Sequence, residues 1–309
     1  MRILVTGGAG FIGSHVVEAY LAAGHDVAVV DDLSTGHVEN LIPGVRFHRA
    51  DLRDRAAVAA VIAAERPEVI SHHAAQLDVR RSVADPVYDA QINLIGLLNL
   101  VEEARTHGLR RMLFASSGGT VYGESQRVPT REDDPTEPVC PYGVAKLSSE
   151  HYIHYYAHVY GIRSVSLRYA NVYGPRQDPH GEAGVVAIFS GLLLDGGQPV
   201  INGAGDQTRD YVYVGDVARA NLLALASDYT GSVNIGTGIE TSVAHLFTLL
   251  CDATGAHPGE RHGPGKPGEQ SRSALDPSRA RAVLGWSPEV ALTDGLARAV
   301  AFFRARRAA

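Results

Sequence analysis

Tyr142 and Lys146 stand four residues apart in Pro141-Tyr142-Gly143-Val144-Ala145-Lys146, a spacing that on a helix projects both side chains from one face. A free phenol, with a pKa of about 10, is a poor base at neutral pH, but a neighbouring ammonium favours the phenolate. Such a pair can remove a hydroxyl proton as a hydride leaves the carbon beneath it, and the lysine can also grip a nicotinamide ribose. A third hydroxyl for this chemistry would come from Ser116-Ser117-Gly118-Gly119-Thr120-Val121-Tyr122-Gly123, where it could hydrogen-bond the reacting hydroxyl beside Tyr142. Thr120 and Ser117 are both candidates; Ser116 reads as a backbone cap at a strand end.

Hydride chemistry needs a dinucleotide, and the first residues offer a cradle for one. Thr6-Gly7-Gly8-Ala9-Gly10-Phe11-Ile12-Gly13 follows an apolar run and opens a helical pattern, with glycines at 7, 10 and 13. Glycine permits a tight turn and close approach of backbone to a pyrophosphate, which the helix N-terminus then stabilises. Asp31 follows about 20 residues on, where an acid accepts the adenosine ribose hydroxyls. Asp32-Leu33-Ser34-Thr35-Gly36 contains no arginine for a 2′-phosphate, so the pattern favours NAD over NADP. Asp51-Leu52 reads two ways, as a contact to the adenine amino group or as the N-cap of the helix that follows.

The elements that must position these groups are visible as alternation. Apolar runs at residues 3–6, 27–30, 69–71, 112–116 and 164–168 alternate with helical patterns at 14–23, 55–65, 92–107 and 142–160. This predicts an α/β fold, a Rossmann-type doubly wound parallel sheet. Beyond residue 175 glycine and proline clusters interrupt shorter elements, which predicts a smaller mixed α/β substrate lobe over 176–309. Residues 212–214 and the alanine-leucine helix after them read as a return to the sheet. The organisation expected is therefore a cofactor domain over 1–175, with return segments near 211–237, interleaved with the second lobe. The chain is 309 residues long, 45% apolar and 20% charged, enough for a substantial core.

Composition excludes several classes of function. A formal charge of −6 and a pI near 6.1 give no basic stripe for a nucleic acid. No apolar run approaches the ~18 residues of a membrane span. Met1-Arg2 leads directly into the apolar run, so no signal peptide is expected, and Cys140 and Cys251 lie too far apart in sequence for a dense disulfide framework. A cytoplasmic protein is expected. His151, His154 and His158 share a helical face, but no carboxylate or thiolate completes a set there, and no metal is expected.

Further motifs carry a resemblance over essentially the whole length. They are His73-Ala74-Ala75-Gln76, Asn93 with Gly96, Leu167-Arg168-Tyr169-Ala170-Asn171-Val172-Tyr173-Gly174-Pro175, Arg209-Asp210-Tyr211-Val212-Tyr213-Val214 and Asn234-Ile235-Gly236-Thr237-Gly238. With the glycine turn and the Tyr142–Lys146 pair, the chain resembles the extended short-chain dehydrogenase/reductases, most closely nucleotide-sugar epimerases of the UDP-galactose 4-epimerase type. The resemblance implies a tightly held NAD that oxidises a UDP-sugar at C4, a 4-keto sugar that turns over in the pocket, and reduction from the opposite face. It makes Tyr142 the base and Lys146 its partner, and it sets Gly7, Gly10, Phe11, Ile12, Gly13, Asp31 through Gly36, Asp51, Leu52, the 73–76 stretch, Asn93, Ser116 and Tyr169 around the cofactor. Asn171, Arg209 and Arg272 would take the diphosphate, where an arginine fork suits two oxygens. Val186 and Asn202 fall in segments that embrace the nucleotide, and Lys266 replaces an arginine common in the family. The resemblance also implies a homodimer through the helices at 92–107 and 142–160.

Related dehydratases and uronate decarboxylases share the fold and the Tyr-Lys pair, so the strand-end motif must choose between reactions. Dehydratases of this kind carry a carboxylate or an Asp-Glu pair just before Val-Tyr-Gly, because loss of water needs an acid and a base. Here those positions are Gly119 and Thr120, and Gly118 replaces the serine or threonine of many relatives, which leaves the third hydroxyl to Thr120 or Ser117. The reading is an isomerase that inverts C4 of a UDP-hexose. Its alternatives are a UDP-glucuronate decarboxylase or dTDP-sugar dehydratase, and a non-catalytic NAD-binding sensor. Ser273 lies where members restricted to plain hexoses often have tyrosine, so UDP-glucose/galactose, UDP-N-acetylglucosamine and UDP-glucuronate all remain open.

Overall fold

The computed structural model describes residues 1–179, 184–265 and 270–308. Seven strands form one sheet: β1 (Arg2–Thr6), β2 (Asp26–Asp31), β3 (Arg46–Arg49), β4 (Val69–His72), β5 (Arg111–Ser117), β6 (Arg163–Tyr169) and β7 (Gly231–Ile235). Their order is β7-β6-β5-β4-β1-β2-β3 and every pairing is parallel. Strands such as Ile3-Leu4-Val5 and Val27-Ala28-Val29-Val30 are apolar on both faces because helices cover both faces of the sheet. On one face Val16, Val17 and Tyr20 of the helix Phe11–Ala22 meet Val217, Ala220 and Ala224 of the helix Val214–Ala226, with Trp286 beside them. On the other, Val58 and Ile62 of Arg55–Glu65, Leu97 and Leu100 of Gly96–Arg105, and Ile153 and Tyr156 of Pro141–Tyr160 cover Leu4, Ile70, Met112 and Phe114. The strand order reverses between β1 and β4, and ligands of open α/β sheets sit at the carboxyl ends of the strands at such a point.

A separate core lies in the second lobe, where Val186 and Phe189 of the helix Val185–Leu194, Leu246 and Leu250 of Val243–Thr254, and Leu296 and Val300 of Leu292–Ala308 pack together. Two expectations are corrected. Residues 212–214 do not return to the sheet: Tyr211–Tyr213 pairs with Asn171–Tyr173 in a two-stranded unit of its own. The free edge of β6 is taken instead by Gly231–Ile235, in register from Gly231 opposite Val165 to Ile235 opposite Tyr169. The helical pattern at 92–107 also begins earlier, at Pro86, where Asp85 caps the Tyr88 amide and proline occupies the first turn. It then passes through a turn of π-helix, Gln91–Ile95, before continuing as Gly96–Arg105.

Candidate active site

The glycine turn is built as a cradle. Gly7 has φ +66°, and a Cβ there would lie 2.6 Å from the Ala74 nitrogen, so β1 and the loop after β4 close on each other at the switch point. A Cβ on Gly13 would run into the Gly7 carbonyl. Gly10 is the N-cap of the helix Phe11–Ala22, and no side chain caps it, which leaves the amides of Phe11, Ile12 and Gly13 for an anion. Asp31 ends β2, buried, accepting hydrogen bonds from the Ala9 amide at 3.0 Å and the Leu33 amide at 2.8 Å. These bonds hold the carboxylate against the turn, while burial pushes its pKa up. Gly36 is kept small by the same carboxylate, 3.0 Å from where its Cβ would be. Ser34 donates its amide to Asp32, and Thr35 is exposed. A turn with no room for a Cβ at Gly7 or Gly13, an uncapped helix start and a fixed acid fit a dinucleotide.

Asp51 is not the cap of the following helix. Its carboxylate accepts from the Arg53 amide and guanidinium, and the N-cap is Asp54, which accepts from the Ala56 and Ala57 amides. The reason is a turn at residues 51–54 that delays the helix, closed by the Asp54 amide donating to the Asp51 carbonyl. The Leu52 carbonyl accepts from Asn99.

The helix Pro141–Tyr160 starts with Cys140 as N-cap and Pro141 in its first turn and ends at Gly161 with φ +69°. Gly143 lets its first turn abut the end of β5, since a Cβ there would lie 2.8 Å from the Thr120 carbonyl. This brings Tyr142 to the strand end beside Ser117, whose hydroxyl opposes the rise in the phenol's pKa. The Thr120 hydroxyl is buried with no hydrogen-bond partner among the described residues. Both candidate hydroxyls thus lie at this end of the helix, Ser117 acting on the Tyr142 phenol and Thr120 with no partner among the described residues. A Cβ on Gly118 would overlap the Leu275 side chain, which a larger residue would have to displace. Ser116 does not cap backbone; its hydroxyl donates to Glu150 at 2.5 Å, since a buried carboxylate is the stronger claim on it.

Lys146 is 3% exposed, donates to the Ala115 carbonyl at 2.8 Å, and lies 4.8 Å from the Phe114 ring centroid and 5.7 Å from that of Tyr142. Burial pushes its ammonium down to about 8, against the opposing pull of Asp89 and Glu150. Tyr142 departs from expectation: burial, then the charges of Asp89 and Cys140, push its phenol above the ordinary value, and the Ser117 hydroxyl opposes them.

His73 is driven down to about 3 by burial and by Lys146, so it is neutral, with Nε2 on the Ser71 hydroxyl. Ala74 donates its amide to Thr6, and Ala75 follows it in the same loop. Gln76 and Asn93 hold each other: the Gln76 amide donates to Asn93 Oδ1 and Asn93 Nδ2 to the Gln76 carbonyl, both at 2.9 Å. Asp89, which sequence reasoning missed, accepts from both side chains. The signal available was its place four residues before Asn93. Tyr169 turns its side chain into the sheet's core, where its hydroxyl accepts from Asn221 at 2.8 Å, so only its backbone is available at the strand end.

Beyond β6, several segments are linked into one wall. Thr208–Arg209 pairs antiparallel with Thr241–Ser242, and Thr208 bridges to Arg272. Arg209 donates to the Thr208 carbonyl. Arg272 is paired with Glu240 through two bonds of 2.9 and 2.6 Å. Asp210, 1% exposed, accepts from Thr237, Gly238 and Leu275 and so stitches three segments of this wall together. Asn171 donates its amide to the Asp210 carbonyl. Asn202 lies in Ile201–Asn202 beside His262–Gly263. Val186 is buried in the second core, and Lys266 lies outside the described residues.

Residues 3–236 match the model of the NAD dependent epimerase/dehydratase family. The chain belongs to this family. Among its relatives, UDP-glucose 4-epimerase of Mycolicibacterium smegmatis is 48% identical over 98% of this chain and 99% of its own length. The structure of a UDP-glucose 4-epimerase from Thermotoga maritima with UDP-glucose superposes with a TM-score of 0.97 at 46% identity, covering 99% of this chain and 100% of the other. That of the Thermus thermophilus UDP-glucose 4-epimerase in complex with NAD gives 0.94 at 47% identity, covering 98% and 99%. The epimerase/dehydratase fold here contains no helix among the described residues long and apolar enough to cross a membrane. Nor do those residues contain three or more His, Cys, Asp or Glu placed to hold a metal ion.

Proposed function

We propose that this chain is an NAD-dependent UDP-sugar 4-epimerase that interconverts UDP-glucose and UDP-galactose, with Tyr142 as acid–base, Ser117 as its hydroxyl partner and Lys146 as the cation beside them. The observation that carries this reading is the strand end: Ser117 lies beside Tyr142 and acts on its phenol, while Gly118, Gly119 and Thr120 bring no carboxylate. Elimination needs a second acid–base group; epimerisation needs one proton removed and returned at the same oxygen. A Cβ on Gly119 would meet nothing within 4 Å, which leaves room above the strand end for a sugar to turn.

The residues divide the work. Gly7, Gly10 and Gly13 with the helix start would hold the pyrophosphate, Asp31 the adenosine ribose, and Lys146 the nicotinamide ribose. NAD, when bound, supplies the hydride acceptor and, when oxidised, a positive ring. Tyr142 takes the proton from the sugar's 4-hydroxyl through contact with Ser117, and Lys146 stabilises the phenolate's charge. After the 4-keto sugar has rotated, Tyr142 returns the proton. Arg209 and Arg272, with Asn171 and the segments at Val186, Asn202 and Lys266, would hold the UDP moiety; Arg272 must then share its fork between Glu240 and the diphosphate.

The test is incubation of purified protein with UDP-glucose, UDP-N-acetylglucosamine and UDP-glucuronate in turn, without added NAD, with C4 stereochemistry followed by NMR. Conversion of UDP-glucose is expected, and Tyr142→Phe should lower kcat by about 10²–10⁴-fold while leaving NAD bound. Inactivity on all three sugars, or undiminished turnover in Tyr142→Phe, would refute the assignment. We also infer a homodimer, from exposed Ile95, Val144, Tyr152, Tyr155, Val159 and Tyr160 on adjacent helices, and a cytoplasmic location, from the free Cys140 and Cys251. Light scattering that finds only monomer would remove the dimer.

A further inference from the structure

Tyr142, Lys146 and Glu150 recur every four residues along the helix Pro141–Tyr160. The first two belong to the proposed site. Glu150 stands behind it, 7% exposed, and meets all three strands at this end of the sheet. It accepts from Arg168 on β6, with Nη2 at 2.6 Å and Nε at 3.0 and 3.2 Å, from the Ser116 hydroxyl on β5 at 2.5 Å, and from the Ser232 hydroxyl on β7 at 3.0 Å. Arg168, 5% exposed, donates its remaining arm to the Tyr122 hydroxyl at 2.8 Å, and that hydroxyl donates to Asn234 on β7 at 2.7 Å. Desolvating both charges makes this a poor device for stability alone, since apolar residues of the same volume do as well or better. What it supplies is placement. Ser116 directly precedes Ser117, so one carboxylate ties the helix that carries Tyr142 to the strand end that carries its hydroxyl partner.

We propose that Glu150, together with Arg168, is a positioning residue for the reaction, one that sets the Tyr142–Lys146 face against Ser117 and keeps Lys146 charged. The inference rests on the Tyr142–Lys146 reading given above. Lys146 is faced by Tyr142 and Glu150 from its own helix, by Asp89 from Pro86–Ala90, by His72 from the end of β4 and His73 just after it, and by the Ala115 carbonyl and Phe114 ring from β5. Both histidines are held neutral by burial. Asp89 and Glu150 are therefore the anions that act on this ammonium, and the charge behind Glu150 is Arg168.

The chain makes the measurement simple, because Lys146 and Lys266 are its only lysines. The holoenzyme, labelled with ¹³C at the lysine ε-carbons, gives two signals, and Lys146→Met assigns them. Glu150→Gln retains the shape and an acceptor for the serines but leaves Arg168 unbalanced. Its expected result is a Lys146 midpoint lower by about one pH unit, a basic limb of the kcat profile that moves with it, kcat reduced about tenfold or more, and a KM little altered, at unchanged NAD content. The double variant Glu150→Gln/Arg168→Met replaces the pair with neutral groups and decides the matter if the single variant does not fold. It should recover part of the Lys146 midpoint while kcat stays low. A Lys146 midpoint and kcat profile unchanged in Glu150→Gln, or wild-type kcat in the double variant, would overturn the proposal. Tyr142→Phe in the same assay separates the two ideas. Turnover surviving there defeats the Tyr–Lys reading, whereas a dead Tyr142→Phe beside an unaltered Glu150→Gln defeats only the role of Glu150.

Discussion

Replacing Lys146 by methionine is expected to stabilise the protein while silencing it. The ammonium sits 3% exposed between two aromatic rings, with a single hydrogen bond to the Ala115 carbonyl. Burial moves its pKa from 10.5 to about 8, which is worth about 3 kcal/mol of lost stability wherever the group is charged in both folded and unfolded chains. The full cost applies below pH 8. As pH rises from 8 to 10.5 the folded chain gives up the proton first, the unfolded chain still holds it, and stability recovers; above 10.5 the cost is gone. Methionine matches the length and fills the space, but it leaves the Ala115 carbonyl without its donor, a loss of about 1 kcal/mol. The net gain is about 2 kcal/mol at pH 7, disappearing toward pH 10. Urea unfolding of the two proteins at matched NAD occupancy, repeated across that range, measures it. A methionine variant that is less stable than its parent at pH 7, or whose advantage does not shrink as pH rises, would refute the reasoning.

Ser117→Ala should lower kcat by roughly tenfold or more, because it removes the hydroxyl beside Tyr142, whereas Thr120→Ala should stay within a few-fold; steady-state kinetics on UDP-glucose would distinguish them, and the reverse order would return the role to Thr120. Gly118→Ser should cost about 1–3 kcal/mol, because its Cβ overlaps Leu275. Leu275→Ala in that background should restore much of the loss in a thermal melt. Gly13→Ala should be purified with little bound NAD, read from the absorbance of the extracted cofactor, because its methyl would displace the Gly7 carbonyl.

Much of the sheet was legible because buried parallel strands are apolar throughout and each is followed by a helix of a different period. The glycine turn and Asp31 were legible because that geometry admits so few residue types. Residues 211–213 misled because a three-residue β-branched and aromatic run looks the same wherever it pairs; the register that sends Gly231–Ile235 to β6 is a property of the assembled sheet. The choice between Ser117 and Thr120 was hidden for a similar reason. Three residues' difference across the end of β5 decides which hydroxyl lies beside Tyr142 and which is shut in behind Gly143. Glu150 could have been suspected from its four-residue spacing after Lys146, and Arg168 from a charge inside the apolar strand Val165-Ser166-Leu167. Their mutual pairing, 18 positions apart, needed the fold. Asp210 gave no such signal, because its partners come from loops at 237–238 and 275.

The route of the chain through the sheet has a consequence for anyone who would exchange one lobe for another. The strand β7 and the helix Val214–Ala226 belong to the sheet and its cover, yet the chain reaches them only after entering the second lobe with Val185–Leu194, and it goes back to that lobe afterwards with Val243–Thr254 and Leu292–Ala308. Leu275, later still, closes over the turn at Gly118. A fragment cut near residue 175 would expose the edge of β6 and one apolar face of the sheet, an invitation to aggregate. A graft that alters substrate choice must therefore enter as two insertions, one on each side of residues 211–235, and leave the returning strand in place. Selectivity in this scaffold is inherited through loops, not through exchangeable modules.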